Sequence, residues 1–165
     1  MFFMALAAMF LSACDATEID NSTVKSVDLN RYVGRWYEIA KFDHIFERGL
    51  DFAMANYTLR EDGKIDVLNT GVKDGRAKDA KGIAKTTNIS GLLKVSFFGP
   101  FYSDYRILML DTNYQYALVG GSNENYLWIL SRTPKLDDAT RSLILAEAEK
   151  RGYNTSKLVW VKQEW

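Results

Sequence analysis

Cysteine is almost absent from this chain: Cys14 is the only one in 165 residues. No disulfide can form within the chain, whatever the redox compartment. Histidine is as scarce, with His44 alone. One histidine and one remote cysteine cannot build an ordinary zinc site. A Ser-His-Asp arrangement would have to use His44, and no serine stands in a nucleophile-elbow context. Gly99, Gly120 and Gly121 mark turns or close approaches and do not form a phosphate loop. Net charge is missing too: Lys plus Arg number 21 and Asp plus Glu number 21, so no basic excess points to nucleic acid. The carboxylates are interspersed with lysines and read as solvated surface. Beyond the first 13 residues no stretch is long and apolar enough to cross a bilayer, which takes roughly 20 residues. Catalysis, a metal and a cofactor are therefore not expected.

Residues 1–13 are uncharged and greasy, with the length of a signal-peptide hydrophobic region but without a basic start. The run ends at Leu11-Ser12-Ala13-Cys14, which resembles the lipobox of bacterial lipoproteins. The resemblance implies that Cys14 is lipidated and becomes the mature N-terminus. Residues 1–13 are then a signal peptide. Residues 14–27, polar and poorly periodic, are expected as a lipidated tether. Residues 28–165 are expected as one domain, long enough to bury a sizeable core.

That domain opens with one helical turn, for which Asp28 is the candidate cap and Gly34 the stop. From Trp36 onward, short apolar runs alternate with turn signals, which predicts antiparallel strands. The expected strands are 36–44, 52–60, 64–72, 82–89, 91–98, 105–111, 115–121 and 126–132. The charged stretch 73–81 is read as a connection between the third and the fourth. Pro134 stops the eighth strand. A helix follows, capped by Asp137 or Asp138, with Leu143, Ile144 and Ala148 as its apolar stripe and Gly152 at its end. A final short strand, "KLVWVKQEW", closes the chain. Closure of eight up-and-down strands into an all-β barrel removes their exposed edges. A barrel of that size is just wide enough for side chains or one small ligand.

Three motifs resemble those of the lipocalin family. Gly34-Arg35-Trp36-Tyr37-Glu38 matches its Gly-x-Trp opening. Asp111-Thr112-Asn113-Tyr114 resembles its Thr-Asp-Tyr turn, with the order of aspartate and threonine exchanged. Arg132 fits the arginine that packs over the tryptophan. The segments "GRWYEIAKFDHIFERGL", "LKVSFFGPFY" and "YLWILSRTP" resemble the bacterial outer-membrane branch, itself similar to apolipoprotein D. The resemblance implies an eight-stranded calyx with a C-terminal helix, a fatty acid or lysophospholipid as ligand, and storage or transport of lipid in the cell envelope. It also implies outer-membrane anchoring through Cys14 with the protein on the periplasmic face, although Asp15 is a residue that favours inner-membrane retention in enteric bacteria. A homodimer is compatible with it. The alternative is an envelope interaction lipoprotein whose barrel is packed shut.

Strand alternation then names the lining. Ala53, Ala55 and Tyr57 share one face of strand two, and the small alanines leave room. Leu93, Val95 and Phe97 share a face of strand five. Tyr126, Trp128 and Leu130 share the face of Arg132. Gly34, Trp36, Asp111, Tyr114 and Arg132 are read as structural, and His44 as a residue of the barrel rim.

Overall fold

The computed structural model describes residues 18–45 and 47–164. Cys14, the signal segment and the first residues of the tether lie outside them. The elements in order are a one-turn helix α1 (Leu29–Tyr32), β1 (Gly34–Phe42), β2 (Asp51–Leu59), β3 (Ile65–Lys73), β4 (Arg76–Thr86), β5 (Leu92–Phe98), β6 (Phe101–Leu110), β7 (Tyr116–Gly120), β8 (Leu127–Ser131), a helix α2 (Asp138–Lys150), a 3-10 turn (Thr155–Lys157) and β9 (Leu158–Trp160). Strands β1 to β8 pair with their sequence neighbours, all antiparallel, and β8 returns to β1. The sheet is thus a closed eight-stranded barrel, complete within the described residues.

β1 serves three neighbours. Its first half pairs with β2, with Gly34 opposite Tyr57 and Trp36 opposite Ala55. β2 then leaves it, and β9 takes the vacated edge, with Ala40 opposite Trp160 and Phe42 opposite Leu158. Gln163 bridges the split, donating from Nε2 to the carbonyls of Glu38 and Ala53. Backbone carbonyls that would otherwise be stranded at the divergence are satisfied this way. On the donor side, Phe52 N–H reaches the Lys162 carbonyl.

α2 lies on the outside of the barrel. Asp137 caps it, accepting from Thr140 N–H. Ile144 and Ala148 are fully buried against Ile39, Ala40, Phe42, Leu108, Leu118, Leu127 and Ile129. Leu143, expected in the apolar stripe, is half exposed, and Leu145 packs in its place. At 100° per residue Ile144, Leu145 and Ala148 fall on one side of the helix, and Leu143 turns away from them.

The charged stretch 73–81 is not a connection. Lys73 pairs with Arg76 across a two-residue turn, Asp74-Gly75, both at positive φ. That is the hairpin turn whose twist matches antiparallel strands, and β4 begins directly after it. Residues 76–81 are exposed on both faces, so no apolar alternation marked them as strand. β6 likewise starts earlier than expected, at Phe101, and the last strand is shorter, with three residues.

From Glu18 onward the expected tether lies against the barrel. Arg151, at the end of α2, donates to the carbonyls of Asp20, Ser22 and Leu108. Asn21 donates to the Ser122 carbonyl in the β7–β8 loop, and Val24 N–H to the Ile107 carbonyl.

Candidate functional site: a calyx closed at one end

The closed end is built from α1 and the start of β1. Gly34 has φ +98°, a conformation that side chains rarely adopt, and it turns the chain from α1 into the strand. Trp36 then points into the barrel and is fully buried. Its indole N–H donates to the Tyr32 carbonyl at 2.8 Å. Arg132 lies over its other face, 3.7 Å from the ring centre. The guanidinium also donates to five carbonyls: Arg31, Tyr32, Val33, Arg35 and Tyr114. Several of these end α1, where carbonyls lack intrahelical partners and a cation is favoured. Burial lowers the pKa of Arg132 from its ordinary value, and the surrounding tyrosines oppose that shift.

The β6–β7 turn completes this end. The Asp111 carboxylate accepts from the N–H groups of Asn113 and Gln115. Tyr114 sits at φ +59°, its hydroxyl accepts from Asp28 N–H, and Arg31 stacks on its ring at 4.1 Å. Thus the exchanged order of aspartate and threonine leaves the turn able to hold both the arginine and α1.

Above Trp36 three tyrosines form the floor. Tyr105 hydroxyl bonds those of Tyr32 at 2.6 Å and Tyr57 at 3.1 Å. Burial raises all three phenols above their ordinary range. Tyr57, expected along the wall, is therefore part of the floor network, and Tyr32 and Tyr105 were not anticipated. Isolated tyrosines carry no sequence signal of being brought together by α1, β2 and β6.

The walls are apolar. Ile107, Ala117, Val119 and Leu130 are buried around Trp36, and Ile65, Val67, Ala84 and Leu93, with Val95 beside them, form the opposite side. Ala53 and Ala55 are buried, and Ala55 stands cross-strand from Trp36. Phe97 is partly exposed, close to Gly82, where an added Cβ would stand 2.9 Å from the Phe97 ring.

The other end is edged by apolar side chains. Ile45, Phe98 and Phe101 are exposed by 72%, 73% and 78%, and Tyr102 and Tyr126 are partly exposed. Solitary exposed apolar residues are ordinary, but a ring of them at one mouth marks an interaction surface.

Inside that mouth is a charged cluster that contradicts the reading of the carboxylates as solvated surface. Glu38 follows Trp36 on the inner face of β1 and is 9% exposed; Lys41, past a bulge in β1, is 2% exposed. Lys41 Nζ lies 3.1 Å from Glu38 Oε1 and 3.8 Å from Glu47 Oε2, and it donates to the Glu47 carbonyl at 2.6 Å. Trp128 Nε1 donates to Glu47 Oε2 at 3.1 Å. His44 Nε2 is 3.3 Å from the same oxygen, and its ring packs against Tyr126 and Trp128. Burial, then the charge of Glu47, pushes Glu38 up to about 7 against the pull of Lys41. Burial lowers His44. The spacing from Trp36 to Glu38 was the available signal, since alternation puts both on one face.

Among the described residues no group of three His, Cys, Asp or Glu could hold a metal, and no helix is long and apolar enough to cross a membrane.

The fold is a closed antiparallel barrel, plugged at one end by a tryptophan under an arginine. Residues 27–163 match the family model described as a lipocalin-like domain. The chain belongs to the lipocalin family. It is 46% identical to the outer membrane lipoprotein Blc of Citrobacter freundii, over 95% of this chain and 92% of that one. It is 32% identical to apolipoprotein D of Mus musculus, over 99% of this chain and 94% of that one. Its fold is also that of apocrustacyanin C1, with a TM-score of 0.71 at 20% identity, covering 84% and 81% of the two chains.

Proposed function

We propose that this lipocalin is a membrane-anchored carrier that holds one acyl chain of a fatty acid or lysophospholipid in its calyx. The observation that carries the reading is the barrel itself: apolar walls, a sealed floor and a mouth edged by exposed Ile45, Phe98 and Phe101. Burying about 14 methylenes contributes roughly 11 kcal/mol gross at 0.8 kcal/mol each. Lost translational freedom and chain ordering offset several kcal/mol of that, which leaves a dissociation constant around micromolar. Saturated fatty acids and lysophospholipids of rising length, titrated into protein that begins at residue 15, should gain roughly fourfold in affinity per methylene and then level off. Trp128, on the inner face of β8, reports the binding through its fluorescence. Affinity flat with chain length, or no binding at all, would favour a barrel packed shut.

The anchor belongs to the same reading. Cys14 stands four residues before Glu18, a reach of at most about 14 Å. Glu18 and Ile19 lie beside the end of α2, and Asn21 is bonded to the β7–β8 loop at the calyx mouth. A lipid on Cys14 therefore keeps the open end near the bilayer. The relative named an outer membrane lipoprotein supports the outer membrane as the site, with the barrel in the periplasm. Cys14→Ser should move the protein out of the membrane fraction. Retention of the variant there after a carbonate wash would refute anchoring by this residue.

A further inference from the structure

We infer that Glu38 and Glu47, together with the rings of Tyr126 and Trp128, form the head-group site of the calyx and select an amphiphile bearing an ammonium group over one bearing a carboxylate. The inference rests on the acyl-chain reading above and adds the chemistry of the other end of the ligand.

Three observations point this way. The first is charge. Two carboxylates face one ammonium, that of Lys41, so the ionised cluster has an excess negative charge. Its neighbours do not cancel it. Asp43 is paired with Arg48 at 2.9 Å, and Glu124 shares the lining of an adjoining 270 Å³ cleft with Lys157, so these neighbours add no net charge of either sign. The guanidinium of Arg132 is committed to the closed end. His44 is held toward its neutral form by burial.

The second is an unfilled bonding capacity. Glu38 Oε1 is buried and has no hydrogen-bond partner of good geometry, although Lys41 Nζ stands 3.1 Å away. A buried carboxylate oxygen left this way is costly. Its direction is inward: it shares the face of Trp36, and its charge, with that of Glu47, acts on the Tyr57 phenol at the barrel floor. A donor carried in by a ligand would satisfy it.

The third is the wall. Tyr126 and Trp128 are stacked, with ring centres 6.1 Å apart and planes within 16°. The Trp128 N–H orients the Glu47 carboxylate, and the His44 ring stands edge-on to both aromatics. Aromatic faces beside a carboxylate are the surroundings that an alkylammonium prefers. A carboxylate head would instead meet two like charges and force a proton onto Glu38.

The sign of the pH dependence follows. Below neutrality Glu38 is protonated, and the Lys41 and Glu47 charges balance. Above it Glu38 ionises and the site becomes net negative. Ammonium ligands should bind more tightly as pH rises through about 7, and carboxylates more weakly.

The test uses protein from residue 15 onward, which contains the closed barrel entire, and three probes of one chain length: tetradecylammonium, tetradecanoate and neutral tetradecanol. Dissociation constants are measured below the micelle limit at about pH 6 and about pH 8. The expected result is ammonium over carboxylate by about tenfold at the higher pH, the worth of a charge-assisted hydrogen bond, with the ratio shrinking at the lower pH. Glu38→Gln should reduce the ratio severalfold and abolish its pH dependence. Should Glu38→Gln fail to fold, Glu47→Gln, in the loop, should likewise reduce the ratio, with its pH dependence moved to lower pH because the Glu47 charge no longer raises Glu38. Carboxylate bound as tightly as ammonium, or a ratio unmoved by either variant, would overturn the inference. Tetradecanol bound without any preference between the charged probes would also overturn it while sparing the acyl calyx. Failure of all three probes to bind would remove the calyx reading itself.

Discussion

Trp36→Ala should destabilise the barrel by about 3–5 kcal/mol, the usual loss for truncating a buried large aromatic. The indole is fully buried, its N–H is bonded to the Tyr32 carbonyl, and the Tyr32 ring packs on it at 5.2 Å. Its removal takes away the plug of the closed end and the surface on which Arg132 rests. Little can move in to fill the space. Ala55 stands directly across, and the neighbouring strands are locked by the closure of the sheet. Since a domain of this kind has only about 5–15 kcal/mol of stability in all, the loss should be plain in a urea melt. A loss below about 1 kcal/mol would mean that Trp36 is not in the core, and the register of β1 would fall with it.

Arg132→Met should cost about 3 kcal/mol, for a different reason. Methionine can cover the indole, but it cannot donate. Five carbonyls that now share one guanidinium would have to find water, and three of them, from Arg31, Tyr32 and Val33, hold α1 in place. Arg132→Lys separates charge from geometry. A lysine keeps the cation but has no planar fork, so it should recover less than half of the loss. The cost should also be sub-additive with Trp36→Ala, because both substitutions open the same end. Full recovery by lysine, in a thermal or chemical melt, would show that charge alone matters there.

Much of the architecture was legible. The Gly34-Arg35-Trp36 opening, the Asp111 turn and Arg132 are separated in sequence by most of the chain. Yet each has a local reason to be what it is: a positive φ, an Asx-type turn, a guanidinium at the end of a strand. The helix cap, read as Asp137 or Asp138 and found at Asp137, and the terminating Gly152 were legible for the same reason, since helix ends are governed by adjacent residues. The charged half of β4 was not. Its strand character comes from the Asp74-Gly75 turn and the partner strand, while both of its faces meet water and leave no alternation to read.

What the sequence by itself determined about this protein is its class. Alternation, turn chemistry and the three motifs specify an antiparallel barrel of eight strands with a helix after it, because those signals are carried by residues near one another in the chain. What only the tertiary structure decided is the interior. Tyr32, Tyr57 and Tyr105 meet because the barrel closes. Gln163 reaches Glu38 and Ala53 because β2 leaves β1. Glu38, Lys41 and Glu47 become a buried charge cluster because the β1–β2 loop folds in against Trp128. Each of these rests on distance through space rather than along the chain, and burial, which sets the energy of a charge, exists only once the sheet has closed on itself.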